Sequence, residues 1–268
     1  MRFRRTVMAS LVVLVAISAV VVVVAAGRAA DWRTASREPV GLAPDPAATP
    51  EPVVQVYAAR TVGWRGVFGV HSWVAVKRAR ATSYTVYEVI GWRLRWSDSA
   101  VVIGQRAPDA RWFGNAPELL AERRGAGVDA LIDRIEQAAG RYPYAGEYSP
   151  WPGPNSNTFT AWITRAVPEL EVDLPPTAIG KDYLGDRMVA TAPSGSGFQL
   201  SVAGLLGLTM SGIEGVEVNL LGLSFGLNPF EPAFKLPLAG RIGPARRQAD
   251  APRITSVSDR PYSNRATR

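Results

Sequence analysis

The chain holds one histidine, in "VFGVHSWVAVK", and one serine at the mouth of a turn that feeds a helix, in "WPGPNSNTFTAWITRAV". A serine hydroxyl becomes a nucleophile only when a base takes its proton, so His71 is the single imidazole that could serve Ser156. If Lys77 and Thr82 flank the turn "RARA", the two strands pair with His71 opposite Glu88. Directly paired residues share one sheet face, and the carboxylate would then fix the imidazole tautomer. A slip of one residue would send one of the two side chains to the other face. Ser156 would stand at the start of a helix over Asn157–Val167, where free backbone N–H groups can hold an anion or a developing oxyanion. His71, Glu88 and Ser156 are therefore the candidate catalytic residues, with Trp151, Asn155 and Asn157 as candidate binding residues. A purely structural reading stands beside this one. Ser and Asn are favoured N-caps, His71 neighbours Trp73 in an aromatic strand, and Glu88 could simply pair with a surface cation.

Composition removes several chemistries. With no cysteine there is no disulfide, thiolate metal site or cysteine nucleophile, and with one histidine there is no histidine-rich metal site. The acids Glu169, Glu171 and Asp173 in "PELEVDLPP" alternate as on a solvated strand edge, so no metal or cofactor is expected. The net charge of +7 belongs to the ends. Arg2, Arg4 and Arg5, together with six arginines against Asp250 and Asp259 in 244–268, account for all of it. A body without excess basic charge argues against nucleic acid as a partner.

Residues 6–27 carry no charge and as a helix would measure about 33 Å, enough for a bilayer core. The expected topology is a basic cytoplasmic segment (1–5), a transmembrane anchor or cleaved signal segment (6–27), and everything beyond it outside the cytoplasm. Residues 28–52, with prolines at 39, 44, 46, 50 and 52, read as a semi-rigid spacer, and the arginine-rich tail 244–268 as disordered. Between them, 53–243 is expected to form one domain. Its opening runs, "VVQVYAARTV" to "SAVVIGQR", alternate like strands of a meander. "NAPELLAERR" and "GVDALIDRIEQAAGRYP" change to a helical period, with Val128, Leu131, Ile132 and Ile135 on one face. From Phe198 the strand pattern returns, Val216, Val218 and Leu220 alternating with Glu217 and Asn219 between glycine-rich breaks. Strands, helices, then strands suggest an α+β fold with a C-terminal β-hairpin region.

"RWFGNAPELL", "VHSWVAVK" and "WPGPNSNTF" resemble the bacterial family known as domain of unknown function 3750, a name that carries no activity. A more remote resemblance is to the circularly permuted papain-like group, the NlpC/P60 peptidases and lecithin:retinol acyltransferase. Asn155 and Phe159 match its frame, and Ser156 occupies the position of its cysteine. That likeness implies an antiparallel sheet packed with helices. It also implies either a non-catalytic cell-envelope binding domain or a serine-dependent hydrolase or acyltransferase. The expected ligand is a lipid acyl group or a peptidoglycan peptide, in an extracytoplasmic, membrane-anchored protein.

Overall fold

The computed structural model describes residues 32–244. They form two antiparallel sheets with little helix. The first sheet contains β1 (Val53–Arg60), β2 (Val70–Lys77), β3 (Thr85–Val89), β4 (Val101–Gln105) and β5 (Glu118–Arg124), in the order β4-β3-β2-β1-β5. A single helical turn, α1 (Arg65–Phe68), bridges β1 and β2. Both faces of β1 and β2 are covered, so alternation divides their side chains between two cores. Val54, Val56, Val74 and Val76 meet the helices α2 (Val128–Gly140) and α3 (Ser156–Ala166). Val53, Tyr57, Trp73 and Ala75 lie on the opposite face with Trp112 and Phe113. The stripe expected on α2 is present, with Val128, Leu131, Ile132 and Ile135 all buried.

The proline-rich stretch is strapped over the second of these cores instead of standing away from it. Lys77 reaches up from β2 to donate to the carbonyls of Thr49 and Glu51 at 2.7 Å, and the Asp109 carboxylate accepts from the backbone of Leu42. "NAPELLAERR" departs from its helical expectation. Glu118–Arg124 pair with β1, because a strand buried on both faces leaves a free edge of backbone groups that another strand must satisfy.

The second sheet corrects the α+β, papain-like expectation. What was read as a hairpin region is a sheet of seven strands, so sheet outweighs helix throughout the described residues. It comprises β6 (Val189–Ala190), β7 (Phe198–Val202), β8 (Leu206–Ser211), β9 (Gly215–Leu220), β10 (Leu223–Asn228), β11 (Ala233–Leu236) and β12 (Gly240–Ile242). Short turns join neighbours in simple succession, through Gly204, Gly212 and Gly222 between β7 and β10 and through proline-bearing turns from β10 to β12. The membrane expectation is also corrected. No helix among the described residues is long and apolar enough to cross a bilayer, and residues 6–27 lie outside them. Transmembrane anchoring, a membrane partner through an N-terminal helix and single-pass localisation are accordingly set aside.

The second sheet is inverted relative to an ordinary half-buried sheet. Its outward rows are apolar: Phe198, Met210, Val216, Leu227, Phe234 and Ile242 form one, Leu200, Leu208, Val218 and Phe225 a second, and Val202, Leu206, Leu220 and Leu223 a third. The inward rows are polar and buried, among them Gln199, Thr209, Glu217, Asn219, Ser224 and Lys235. They face a loop that supplies Asp173, Lys181 and Asp182. Lys235 Nζ lies 2.5 Å from Asp173 and 2.7 Å from Glu217, and Lys181 donates to the other Glu217 oxygen. Asp182 accepts from Gln199 and Asn219. Burial would raise the Glu217 carboxyl, but the two ammonium groups outweigh it and hold it below its usual range.

Asp173 fares differently. Burial lifts its carboxyl to about 6, with Lys235 pulling the other way and the Glu217 charge adding to the rise. A raised carboxyl means that the folded state binds the proton more tightly than the unfolded chain. The contribution of Asp173 to stability should therefore be greatest below about pH 4, fall as pH rises to about 6, and level off above that. Urea unfolding of wild type and Asp173→Asn across that window should give a difference that changes by about 2–3 kcal/mol. A constant difference would contradict the assignment.

Candidate functional site

The sequence "WPGPNSNTF" builds the start of α3. Asn155 is the N-cap, its Oδ1 accepting from the backbone N–H groups of Asn157 and Thr158, while Thr158 Oγ1 accepts from Asn155 N to complete a capping box. The Asn155 amide donates to the carbonyls of Pro150 and Ile179. Gly180 makes room for it: a Cβ there would fall 2.5 Å from the Asn155 amide, on a backbone with φ of +98°. Asn157 is equally committed. It donates to Val70 O at 3.0 Å and Ile179 O at 2.8 Å and accepts from the Ser72 hydroxyl at 2.8 Å. The polar atoms of both asparagines are thus consumed in locking α3 to β2 and to the loop before Lys181. Ser72, unremarked in the sequence, is the strand residue that receives the helix. Trp151 is half exposed and ties the first half of the chain to the second, its indole N–H donating to Leu221 O at 2.8 Å.

Because Asn155 does the capping, Ser156 is released from that role. Its hydroxyl makes no hydrogen bond among the described residues, and the residue lines a cleft.

His71 and Glu88 meet at 2.8 Å through Nε2, but not by the expected pairing. The register sets Val74 against Tyr87 and Ala75 against Val86, two residues away from direct opposition of His71 and Glu88. A shift of two preserves the face, which is why the contact survives as a diagonal one. Arg106 holds the second Glu88 oxygen at 3.2 Å while its guanidinium lies over the Trp73 ring. Burial pushes the His71 imidazole below its usual value despite the carboxylate. For Glu88, burial would raise the carboxyl, and the His71 hydrogen bond with the Arg106 charge more than reverses it. A neutral imidazole donating from Nε2 to Glu88 leaves Nδ1 as an acceptor.

Above His71 lies Trp112, stacked at 3.7 Å between centroids and within 10° of parallel. The motif "RWFGN" explains how it gets there. Trp112 and Asn115 exchange both backbone hydrogen bonds around Phe113 and Gly114, each with positive φ, a two-residue turn that aims the indole back at the sheet.

His71 and Ser156 do not share a sheet face. His71 alternates with Ser72, whose hydroxyl points to α3, and it projects instead toward Trp73 and Trp112. No hydrogen bond joins the imidazole to the Ser156 hydroxyl. Both residues nevertheless border one cleft of about 1110 Å³ that passes the end of β2. Six of the eight tryptophans line it, Trp32, Trp64, Trp92, Trp96, Trp112 and Trp151, together with Arg37, Arg65 and Arg95 and no acidic side chain. Trp92 stacks on Trp112 at 6.0 Å, and Arg37 lies 3.8 Å above the Phe113 ring. Tyr148 closes one wall against Gly91, where a Cβ would collide with its ring at 2.2 Å.

Residues 51–183 match the family model described as a protein of unknown function, DUF3750. The DUF3750 segment contains the first sheet, the three helices and the lining of the cleft apart from Trp32 and Arg37, and it ends at Tyr183, just before the second sheet. Comparison with curated proteins and with solved structures gave no match, so nothing there supports the papain-like resemblance. The acids of "PELEVDLPP" are each paired with a cation of the chain: Glu169 with Arg134, Glu171 with Arg123 and Asp173 with Lys235. No cluster among the described residues has the make-up of a metal site.

Proposed function

We propose that this protein is a non-catalytic binding domain whose cleft takes an anionic amphiphile, a ligand with an acidic group at one end and a ring-bearing or acyl body. The observation that carries this reading is the lining of the cleft: six tryptophans and three arginines without a carboxylate. Indole faces bury apolar surface and stack on flat or CH-rich groups at small entropic cost, and Trp64, Trp92 and Trp96 are all exposed among the described residues. Arginines at the rim favour a negative charge, and the absence of acids means that nothing offsets them. His71 Nδ1 adds a hydrogen-bond acceptor beside Trp112. The test is quenching of tryptophan fluorescence by a long-chain carboxylate, an alcohol of equal length and an acidic muramyl peptide. Saturable binding of a carboxylate ligand is expected, weaker for the alcohol, and reduced about tenfold or more in Trp92→Ala. Absence of saturable binding by all three would sink the proposal.

A second reading rests on the free hydroxyl of Ser156. It offers a nucleophile, while Asn155 already takes the N–H groups of Asn157 and Thr158, so an oxyanion would have to be held by other donors, and a movement bringing the His71–Glu88 pair to that hydroxyl would complete a serine hydrolase or acyltransferase. A fluorophosphonate probe should then label the wild type but neither Ser156→Ala nor His71→Ala. An unlabelled wild type favours the binding domain.

A further inference from the structure

The outward face of the second sheet is the largest unexplained feature of the molecule. All three of its rows are apolar, and Phe198, Val218, Phe225 and Phe234 are each more than two-fifths exposed. Its inward face is the polar one, so the sheet buries its charged side chains and no described residue covers its apolar side, the reverse of what stabilises an antiparallel sheet in water. We infer that this face is the interface of a two-fold dimer, packed sheet on sheet against a second copy of the chain.

Three observations select that occupant. The first is size. Seven strands about 4.8 Å apart, two to six residues long at about 3.4 Å per residue, present ~500 Å² in flat projection before the relief of the side chains is added. That equals a large patch on a monomer and approaches the ~800 Å² per partner of a standard interface. The second is chemistry. The three rows contain no charged or hydrogen-bonding side chain, so a charged or polar partner gains nothing, whereas an identical apolar face is self-complementary and can pack at about 10 Å. The third separates a protein partner from a lipid surface. Membrane-facing surfaces carry Trp, Tyr, Lys or Arg at their boundary, and residues 189–242 contain no Trp or Tyr, while their only Lys and Arg, Lys235 and Arg241, lie on inward positions. Strands of six residues or fewer are also too short to span a bilayer core.

The centre of the face is Val218, on the fourth strand of seven. Light scattering on the full chain across a dilution series should give a dimer mass for wild type and a monomer mass for Val218→Asp, with the circular dichroism of the two alike. Since the chain has no cysteine, Val218→Cys should give a covalent dimer with a short bis-maleimide that spans the about 10 Å between facing sheets, while Gln137→Cys on the exposed side of α2 should not. A wild type that stays monomeric, or a dimer indifferent to Val218→Asp with no cross-link at Val218→Cys, overturns the inference. A monomer that floats with neutral phosphatidylcholine vesicles, and loses this in Val218→Asp, would assign the face to lipid instead.

Discussion

Glu217→Gln is expected to lower stability by about 3–5 kcal/mol in urea unfolding, the cost of stranding buried charge when one partner of an ion pair is removed. Glu217 sits between two fully buried ammonium groups, Lys181 and Lys235, and lends one carboxylate oxygen to each. Burial would lower the Lys181 ammonium, but Asp182 and Glu217 outweigh it and hold it above its usual range. Glutamine keeps the shape and one hydrogen bond but cancels the charge that both lysines need. Asp182 and Asp173 remain beside them, so the loss should fall short of complete unfolding. Should the variant lose less than about 1 kcal/mol, the seam must be wetter than its burial indicates.

Trp112→Ala should be nearly as severe, at about 3–5 kcal/mol, because the indole is buried between His71 and Phe113. It should also move a spectroscopic signal that stability alone would leave unchanged. The chain has one histidine, so its imidazole resonance needs no assignment. In wild type His71 should titrate below the ordinary value of about 6.5, because burial opposes its charge more strongly than Glu88 supports it. Opening the site to water in Trp112→Ala relieves that opposition, and the midpoint should rise. An unchanged midpoint in a folded variant would mean that the stacked indole is not what keeps water from the ring.

Much of this architecture is legible in the sequence, and the parts that are not share a cause. Periodicity locates α2, β1 to β4 and the strands between Phe198 and Asn228, since Leu131, Ile132 and Ile135, or Val216, Val218 and Leu220, recur at the spacing their element imposes. Periodicity does not say which face turns inward. In β9 the valines read as core and Glu217 as surface, and only Lys181 and Lys235, brought in from distant segments, reverse that. β5 escapes the pattern for a related reason: "ELLAERR" has helix-forming composition, and the free edge of β1 overrides it. The pairing of His71 with Glu88 was legible in face but not in register, because the turn takes up two more residues than "RARA" suggests. The cleft was beyond reach. Its tryptophans at 32, 64, 92, 96, 112 and 151 have no common spacing, and only folding gathers them.

The match to a known family stops at residue 183, directly after Lys181 and Asp182, whose counter-charges and hydrogen-bond partners lie past that boundary in Glu217, Gln199 and Asn219. A fragment cut there would inherit half of each attachment. Truncation after residue 183 should therefore leave the Lys181 ammonium and the Asp182 carboxylate without the partners that answer them in the folded chain.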